Sequence, residues 1–406
     1  MRLLAIAIRN VGRYWQRSLI TTLAMAFAGF IMILFAALMQ GMVETSEHNV
    51  VAMNLGEVQI HARGYRDDPD IYKRIHDPAA LIARLQKAGF HAAPRLYAFG
   101  LAAAGTASAG VQLHGIDPVL QPTVTEINRH LLSGQWLSPD DGHGIVIGRK
   151  LARTLGVHPG SEVVFLGQAA DGSIANDLYR VRGVLKSVSE QIDRAGIYMS
   201  ASAFRTLMRL PTGAHEIAVM RADRSLGLAE ATRKVAALAR GYETRNWRQL
   251  MPTIANLIDI MDNQILIMTL ITYIAVATII LNAILMSVFE RIREFGIMKA
   301  IGVMPWQVAS LIYTETLLQV SVAGLLALGG GWLAGNYYER HGIDLSKLAD
   351  SASFGGIAID PVWHAHVTPH VLATPLLMLI GVAAIAAIYP ALKAAMIRPI
   401  EAIHYR

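Results

Sequence analysis

Three features of the sequence predict an α-helical membrane protein with four transmembrane helices and a large α+β domain inserted between helices 1 and 2. Four apolar segments, Ser18 to Val43, Asn263 to Phe289, Thr316 to Tyr338 and Val371 to Leu392, each reach the roughly 20 residues that one bilayer-crossing helix needs. Between the first two lies the stretch from Glu44 to Asp262, where short β-branched runs and helical patterns alternate in irregular order. The composition agrees: 53% hydrophobic residues is too apolar for an ordinary soluble domain, and 16% charged residues is too polar for a helix bundle throughout.

The first segment, 1–17, reads as a cytoplasmic amphipathic helix. Leu3, Leu4, Ile6, Ile8, Val11, Tyr14 and Trp15 alternate with Arg9, Arg13 and Arg17, and the two aromatics suit headgroup depth. Helix 1, 18–43, is expected to be retained. Its apolar run is far longer than a signal-peptide core, and no small-residue cleavage site precedes Glu44.

Lys and Arg near membrane ends favour the cytoplasm. Arg2, Arg9, Arg13 and Arg17 precede helix 1 without an acid, and Lys393, Arg398 and Arg406 follow helix 4 against Glu401 alone. By contrast, helix 1 exits into Glu44 and Glu47, and helix 2 is entered through Asp259 and Asp262. Both termini and the short 290–307 connection are therefore expected in the cytoplasm. The inserted domain (44–262) and the 339–370 loop are expected on the far side.

Within the inserted domain, strands are expected at 57–61, 111–116, 145–147, 163–166, 179–188, 197–199 and 216–220. Helices are expected from Ala79 to Lys87 behind the Asp77-Pro78 cap, from Lys150 to Leu155 before Gly156, from Ala201 to Leu210, and from Ser225 to Arg240.

Helix 2 (263–289) leads into 290–307, which reads ERIREFGIMKAIGVMPWQ, and helix 3 (308–338) follows. Glu290 to Ala300 can form about three helical turns. Gly302 suits a left-handed stop, and Pro305 suits the first turn of the next helix. The candidate contact residues are Ile292, Arg293, Glu294, Phe295, Gly296, Ile297, Met298, Lys299 and Gly302. Phe295, Met298 and Ile292 or Ile297 form the expected apolar anchor, with Arg293, Glu294 and Lys299 setting orientation, a helix-in-groove mode. A basic turn resting on lipid headgroups is the plainer reading of the same residues.

Helix 4 spans 371–392 with Pro375 and Pro390 inside it, and a cytoplasmic tail occupies 393–406. Small residues, among them Ala24, Gly29, Ala283, Gly324 and Gly329 to Gly331, are expected to let helices approach closely. Glu315 sits shallow in helix 3, where interfacial water or a neighbouring basic residue can satisfy it.

Other chemistries find no support. There is no cysteine, hence no disulfide, thiolate nucleophile or cysteine metal site. His364, His366 and His370 lack the spacing of a zinc site. No nucleophile elbow accompanies the Ser, His and Asp residues of the inserted domain. The net charge of +6 is explained by topology rather than by nucleic acid. No phosphate-binding GxxxxGK[ST] loop occurs, so nucleotide hydrolysis is expected of another chain.

Four stretches carry a resemblance. LLSGQWLSPDDGHGIVIGRKLARTLGVHPGSEVVF, Leu131 to Phe165, and VQLHGIDP, Val111 to Pro118, resemble the periplasmic domain of MacB-type and LolC/LolE-type ABC transporter permeases. REFGIMKAIGVMPWQV, Arg293 to Val308, resembles the coupling helix of the wider FtsX-like group, and YPALKAAMIRPIEAIHYR, Tyr389 to Arg406, resembles its C-terminal ending.

The resemblance implies a non-catalytic permease in a bacterial inner membrane, with its large domain periplasmic. It also implies a second permease copy or paralogue and a cytoplasmic ABC ATPase dimer, which rather than this chain holds ATP and Mg²⁺. A periplasmic carrier or adaptor protein and membrane lipid complete the implied partners. MacB carries its own ATPase domain ahead of the membrane helices, whereas only Met1 to Arg17 precede helix 1 here, which tilts the resemblance toward LolC/LolE-type or separate-subunit permeases.

The function it implies is mechanotransmission: ATP-driven closure moves the periplasmic domains. The first expected task is extraction of lipoproteins or lipid-like cargo, with a lipid-accepting cleft between helices 1 and 2 of two protomers. The alternatives are efflux of small molecules or peptides with an adaptor and outer-membrane channel, and a signalling scaffold that activates a cell-wall hydrolase.

Overall fold

Each apolar segment lies within a helix that runs further than the segment itself. In the computed structural model these helices are α1 (Trp15–Val50), α2 (Pro252–Glu290), α4 (Pro305–His341) and α5 (Pro369–Met396), with the short α3 (Ile292–Ala300) after α2. All four long helices are long and apolar enough to cross a membrane. They outrun the expected boundaries because backbone bonding continues through polar residues such as Glu44, Thr45 and Glu47, whereas an apolar window marks only the hydrocarbon slab. The structure describes residues 9, 12–13, 15–139, 141–223, 225–344, 353–354, 357–358 and 362–398. Most of the expected 1–17 amphipathic helix, Lys347 of the 339–370 loop, and the tail from 399 onward lie outside the described residues.

The chain divides into two compact units, one of residues Met1–Glu44, Ile258–Lys347 and Val362–Arg406, the other of Thr45–Leu257 and Leu348–Pro361. In the first, Met25, Tyr273, Ile280, Val288, Leu311, Leu379 and Ala387 form a common core. Small residues set its spacing. A Cβ on Gly331 would stand 2.6 Å from Ile33 Cγ2, and one on Gly324 would stand 2.5 Å from Leu376 Cδ1. Hydrogen keeps α4 close to α1 and to α5 at these points. Pro375 sits inside α5, and its carbonyl accepts from Tyr273 Oη at 2.5 Å, so the hydroxyl is not left unsatisfied in an apolar setting.

The second unit is built on a ten-stranded sheet, counted among the described residues. Its strands are β1 (Val58–His61), β2 (Phe90–Ala104), β3 (Ala107–Ile116), β4 (Leu131–Gly134), β5 (Gly144–Ile147), β6 (Glu162–Gln168), β7 (Ile174–Leu185), β8 (Gly196–Ser200), β9 (Glu216–Arg221) and β10 (Glu243–Asn246). The order is β10-β1-β9-β2-β3-β8-β5-β7-β4, with β6 joining β2 and β7. Most pairs are antiparallel, but β3 with β8 and β5 with β7 are parallel, as expected of mixed α+β architecture.

Helices cover the sheet. Pro78–Lys87 is capped by Asp77, which accepts from the Ala80 amide at 3.0 Å. Arg149–Leu155 stops at Gly156, whose φ of +67° is left-handed. One apolar cluster gathers Leu96, Leu113, Ile145, Phe165, Ile197 and Phe204, and another gathers Ile60, Leu81, Phe90, Ile217 and Val235. Strands β2, β4 and β10 and the helix Glu190–Ala195 were not among the expected elements.

Candidate coupling site

Helix α3 is fastened to its own unit by two cations. Arg291 sits in the turn before it and is almost fully buried. Its Nη1 donates to Glu315 Oε1 at 3.1 Å and Oε2 at 2.9 Å, its Nε donates to Glu294 Oε2 at 3.1 Å, and its guanidinium lies 5.1 Å from the centre of the Phe295 ring. The carboxylate of Glu315 is thus satisfied by a basic neighbour. Lys299, in the last turn of α3, donates to the carbonyls of Ala395 and Ile397, both at 2.5 Å. Those carbonyls belong to the end of α5 and the residue after it, where a cation is favoured by exposed C=O groups.

These bonds revise the expected contact face. Phe295 is 1% exposed and packs with the helix core, and Ile292 and Gly296 are buried with it, so the anchor expected from Phe295 and Ile292 faces inward. Burial follows from the 3.6-residue period, which aligns Ile292, Phe295 and Gly296 on the side facing α2 and α4. Lys299 is engaged with the end of α5 rather than set outward. Met298 is half-buried, Glu294 is half-exposed and lies 3.7 Å from Arg13, and Arg293 is exposed.

The outward apolar edge keeps Ile297 of the expected anchor and adds residues beyond α3. Ile297 is 55% exposed, and Ile301, Met304 and Trp306 in the following turn are more exposed still. Gly302, with φ of +101°, makes the reversal, and Pro305 opens α4. The Met304 amide donates to Gln307 Oε1 at 2.9 Å and Trp306 Nε1 to Met304 Sδ at 3.3 Å, which fixes this turn. Ile301, Met304 and Trp306 lie in the same sequence motif but outside the expected contact residues, because the helical period that marks an apolar face ends with α3.

A cavity of about 50 Å³ adjoins the ion pair, lined by Ser18, Thr21, Ser287, Glu290, Thr316 and Gln319. Gln319 donates to Ser18 Oγ at 3.3 Å, which ties α4 to α1. Sharing Thr21 and Ala283 with that cavity, a groove of about 570 Å³ is lined by Ile20, Ala24 and Thr21 of α1 and Ile279, Asn282 and Met286 of α2. At the opposite end of this unit, His366 lies 3.3 Å from Glu44 Oε2 and 3.5 Å from Glu339 Oε1. Among the described residues no His, Cys, Asp and Glu cluster is arranged to hold a metal ion.

Helices of membrane-crossing length, a short helix bonded to two of them, and an α+β domain inserted between the first two define a membrane protein with a large inserted domain. Residues 18–238 match the MacB-like periplasmic core domain, and residues 266–399 match the FtsX-like permease C-terminal domain. The chain belongs to the MacB/FtsX-like permease family.

A macrolide export ATP-binding/permease protein MacB from Campylobacter fetus subsp. fetus (strain 82-40) is 27% identical over 120 residues, 30% of this chain and 19% of that protein. The chain therefore matches about a fifth of the length of this curated relative. Among solved structures, the periplasmic region of MacB from Actinobacillus actinomycetemcomitans is 16% identical with a TM-score of 0.37, covering 50% of this chain and 94% of that one. The extracellular domain of the transporter YknZ from Gram-positive bacteria is also 16% identical, with a TM-score of 0.34, covering 48% and 100%.

Proposed function

We propose that this chain is the permease subunit of an ABC transporter and that α3 with its following turn receives the stroke of a separate cytoplasmic ATPase dimer. ATP and Mg²⁺ belong to that partner, and a second permease copy or paralogue completes the pair. Both termini and α3 lie in the cytoplasm, in keeping with the Arg and Lys flanks, and the inserted domain faces the periplasm.

The observation that carries this reading is mechanical. Helix α3 is bonded to α4 through Arg291–Glu315 and to the end of α5 through Lys299, while Ile297, Ile301, Met304 and Trp306 stay uncovered. A push on the uncovered edge displaces both long helices together, because the links are short and partly buried. The apolar residues suit a groove on a partner, and Arg293 supplies charge beside them.

The cargo is a lipoprotein or lipid-like molecule taken from the inner membrane and passed to a periplasmic carrier. The apolar groove between α1 and α2 supports this, since it opens along two helices of membrane-crossing length. Export of a small molecule or peptide through an adaptor is the second reading, favoured by the similarity to a protein named for macrolide export.

The test is to purify the full chain from native membranes and identify what accompanies it by mass spectrometry. An ABC-type ATPase and acylated proteins are expected. Recovery without any nucleotide-hydrolysing partner overturns the coupling role, and an ATPase without acylated protein overturns the lipoprotein cargo.

A further inference from the structure

Six large apolar side chains stand bare on one face of the α+β domain. Phe99 and Leu101 of β2, Val164 and Leu166 of β6, and Ile174 and Leu178 of β7 range from 39% exposed at Val164 to 76% at Ile174. Alternation turns their neighbours Phe165, Ala175 and Tyr179 the other way, into the core. Strand pairing makes the six contiguous. Leu101 stands opposite Leu166, Ala103 opposite Val164, and Val164 opposite Leu178. Earlier on the same face of β2, Arg95 is buried, so this face loses its cover between Arg95 and Phe99. The opposite face of these strands is already packed by the helices Arg149–Leu155 and Ala201–Leu207.

A contiguous bare apolar face marks a binding surface, and its dimensions and charge select the occupant. Strand β6 runs down the middle, paired on both sides, so anything lying on the strip meets side chains rather than a strand edge. Three strands make the strip about 10 Å wide, and the steps from Phe99 to Ala103 make it about 13 Å long. Those are the diameter of an α-helix and the length of about nine helical residues. A single acyl chain is too narrow to cover three rows. A second copy packed face to face would use about 20–30 residues a side, far more than the strip offers. A membrane surface calls for Lys and Arg around the apolar residues. Here the next pair on this face is Glu162 opposite Arg180, 3.9 Å apart and of cancelling charge, and the rest of the rim is the amides Gln112, Gln168 and Asn176.

We propose that this strip receives an amphipathic helix of another protein, laid along β2, β6 and β7. Its aliphatic or aromatic residues, spaced i, i+3 or i+4 and i+7, cover Leu101, Leu166, Val164 and Leu178, and its polar flanks meet the amide and ion-pair rim.

The chain has no cysteine, so Asn176→Cys, opposite Leu166, takes a single polarity-sensitive fluorophore. The test titrates this labelled full chain, held in lipid nanodiscs, with a helical peptide of Leu, Gln and Glu, about five turns long, whose leucines share one face. A peptide of the same composition with scattered leucines is the control. A saturable blue shift is expected with the first peptide, and binding at least about tenfold weaker with the second. Leu101→Asp and Leu166→Asp, introduced separately, should each weaken binding at least about tenfold while melting stays unchanged, because both side chains are exposed. No binding to the labelled chain, equal binding of the two peptides, or binding that survives both Asp substitutions overturns the proposal. So does the same shift on adding phosphatidylcholine vesicles, which marks a lipid surface, or on raising the concentration of the chain alone, which marks self-association. None of these outcomes bears on the coupling role of α3.

Discussion

Arg291 and Glu315 meet through both carboxylate oxygens at one guanidinium nitrogen, 2.9 and 3.1 Å away, and both side chains are largely withdrawn from solvent. The pair joins the turn ahead of α3 to the body of α4. Removing one partner leaves an uncompensated charge, so Arg291→Met or Glu315→Leu alone should destabilise the helix unit by about 3–5 kcal/mol. The double variant should recover most of this. Melting of the full chain in detergent checks it, and a double variant no better than the singles would contradict the assignment.

The uncovered edge and the buried face of α3 should respond differently to the same change. Ile297→Asp or Trp306→Ala should abolish or strongly weaken ATPase association while melting stays within about 0.5 kcal/mol of the parent, as for a surface substitution. Phe295→Asp should instead prevent a stable fold, because it places a charge in the core. Pull-down and melting measured side by side decide this. Retained association in both edge variants would remove the proposed contact.

Acidification should weaken the α+β domain. Burial holds the His61, His215 and His114 imidazoles below their ordinary value, against an opposing pull of Glu216 on His61. With folded values depressed, the unfolded chain takes up more protons as pH falls below about 6.5, so stability is full above that pH and declines below it. For His114 the decline continues toward about 3, at up to about 1.4 kcal/mol per pH unit. His114→Phe should flatten part of this slope in melts between neutral and mildly acidic pH, and equal slopes would argue against it.

Gly331→Val should separate α1 from α4. Its Cβ would stand 2.6 Å from Ile33 Cγ2 and 2.9 Å from Ile33 Cβ, and the latter cannot swing aside. A loss of about 1–3 kcal/mol is expected from overpacking. Gly329→Val, where a Cβ meets nothing within 4 Å, is the matched control and should melt like the parent.

The membrane helices were legible because apolar length has a direct physical cause, and Gly302 and Pro305 were legible because backbone geometry restricts which residues serve there. The inner strands with Val and Ile were legible for the same reason of pattern. Strand β2 was hidden: Phe90 to Ala104 contains seven alanines and glycines and Pro94, residues that argue against a strand when read locally. Tertiary pairing overrides that preference, with β2 bonded to β3, β9 and β6. At the coupling site the segment was legible but not its inward and outward faces, since Phe295 and Ile297 are equally apolar and only packing distinguishes them. The bare apolar strip was missed because Leu101, Leu166 and Leu178 belong to three strands whose adjacency no local pattern shows.

The length of β2 has a consequence for how the α+β domain comes apart. Its first residues, Phe90 and Ala92, belong to one apolar cluster and its later ones, Leu96, Ala98 and Ala102, to the other. One unbroken ribbon of backbone therefore threads both cores, and neither lobe can melt while leaving its neighbour intact. Heated or pulled, this domain should yield in a single step, as a plank snaps rather than as a hinge opens.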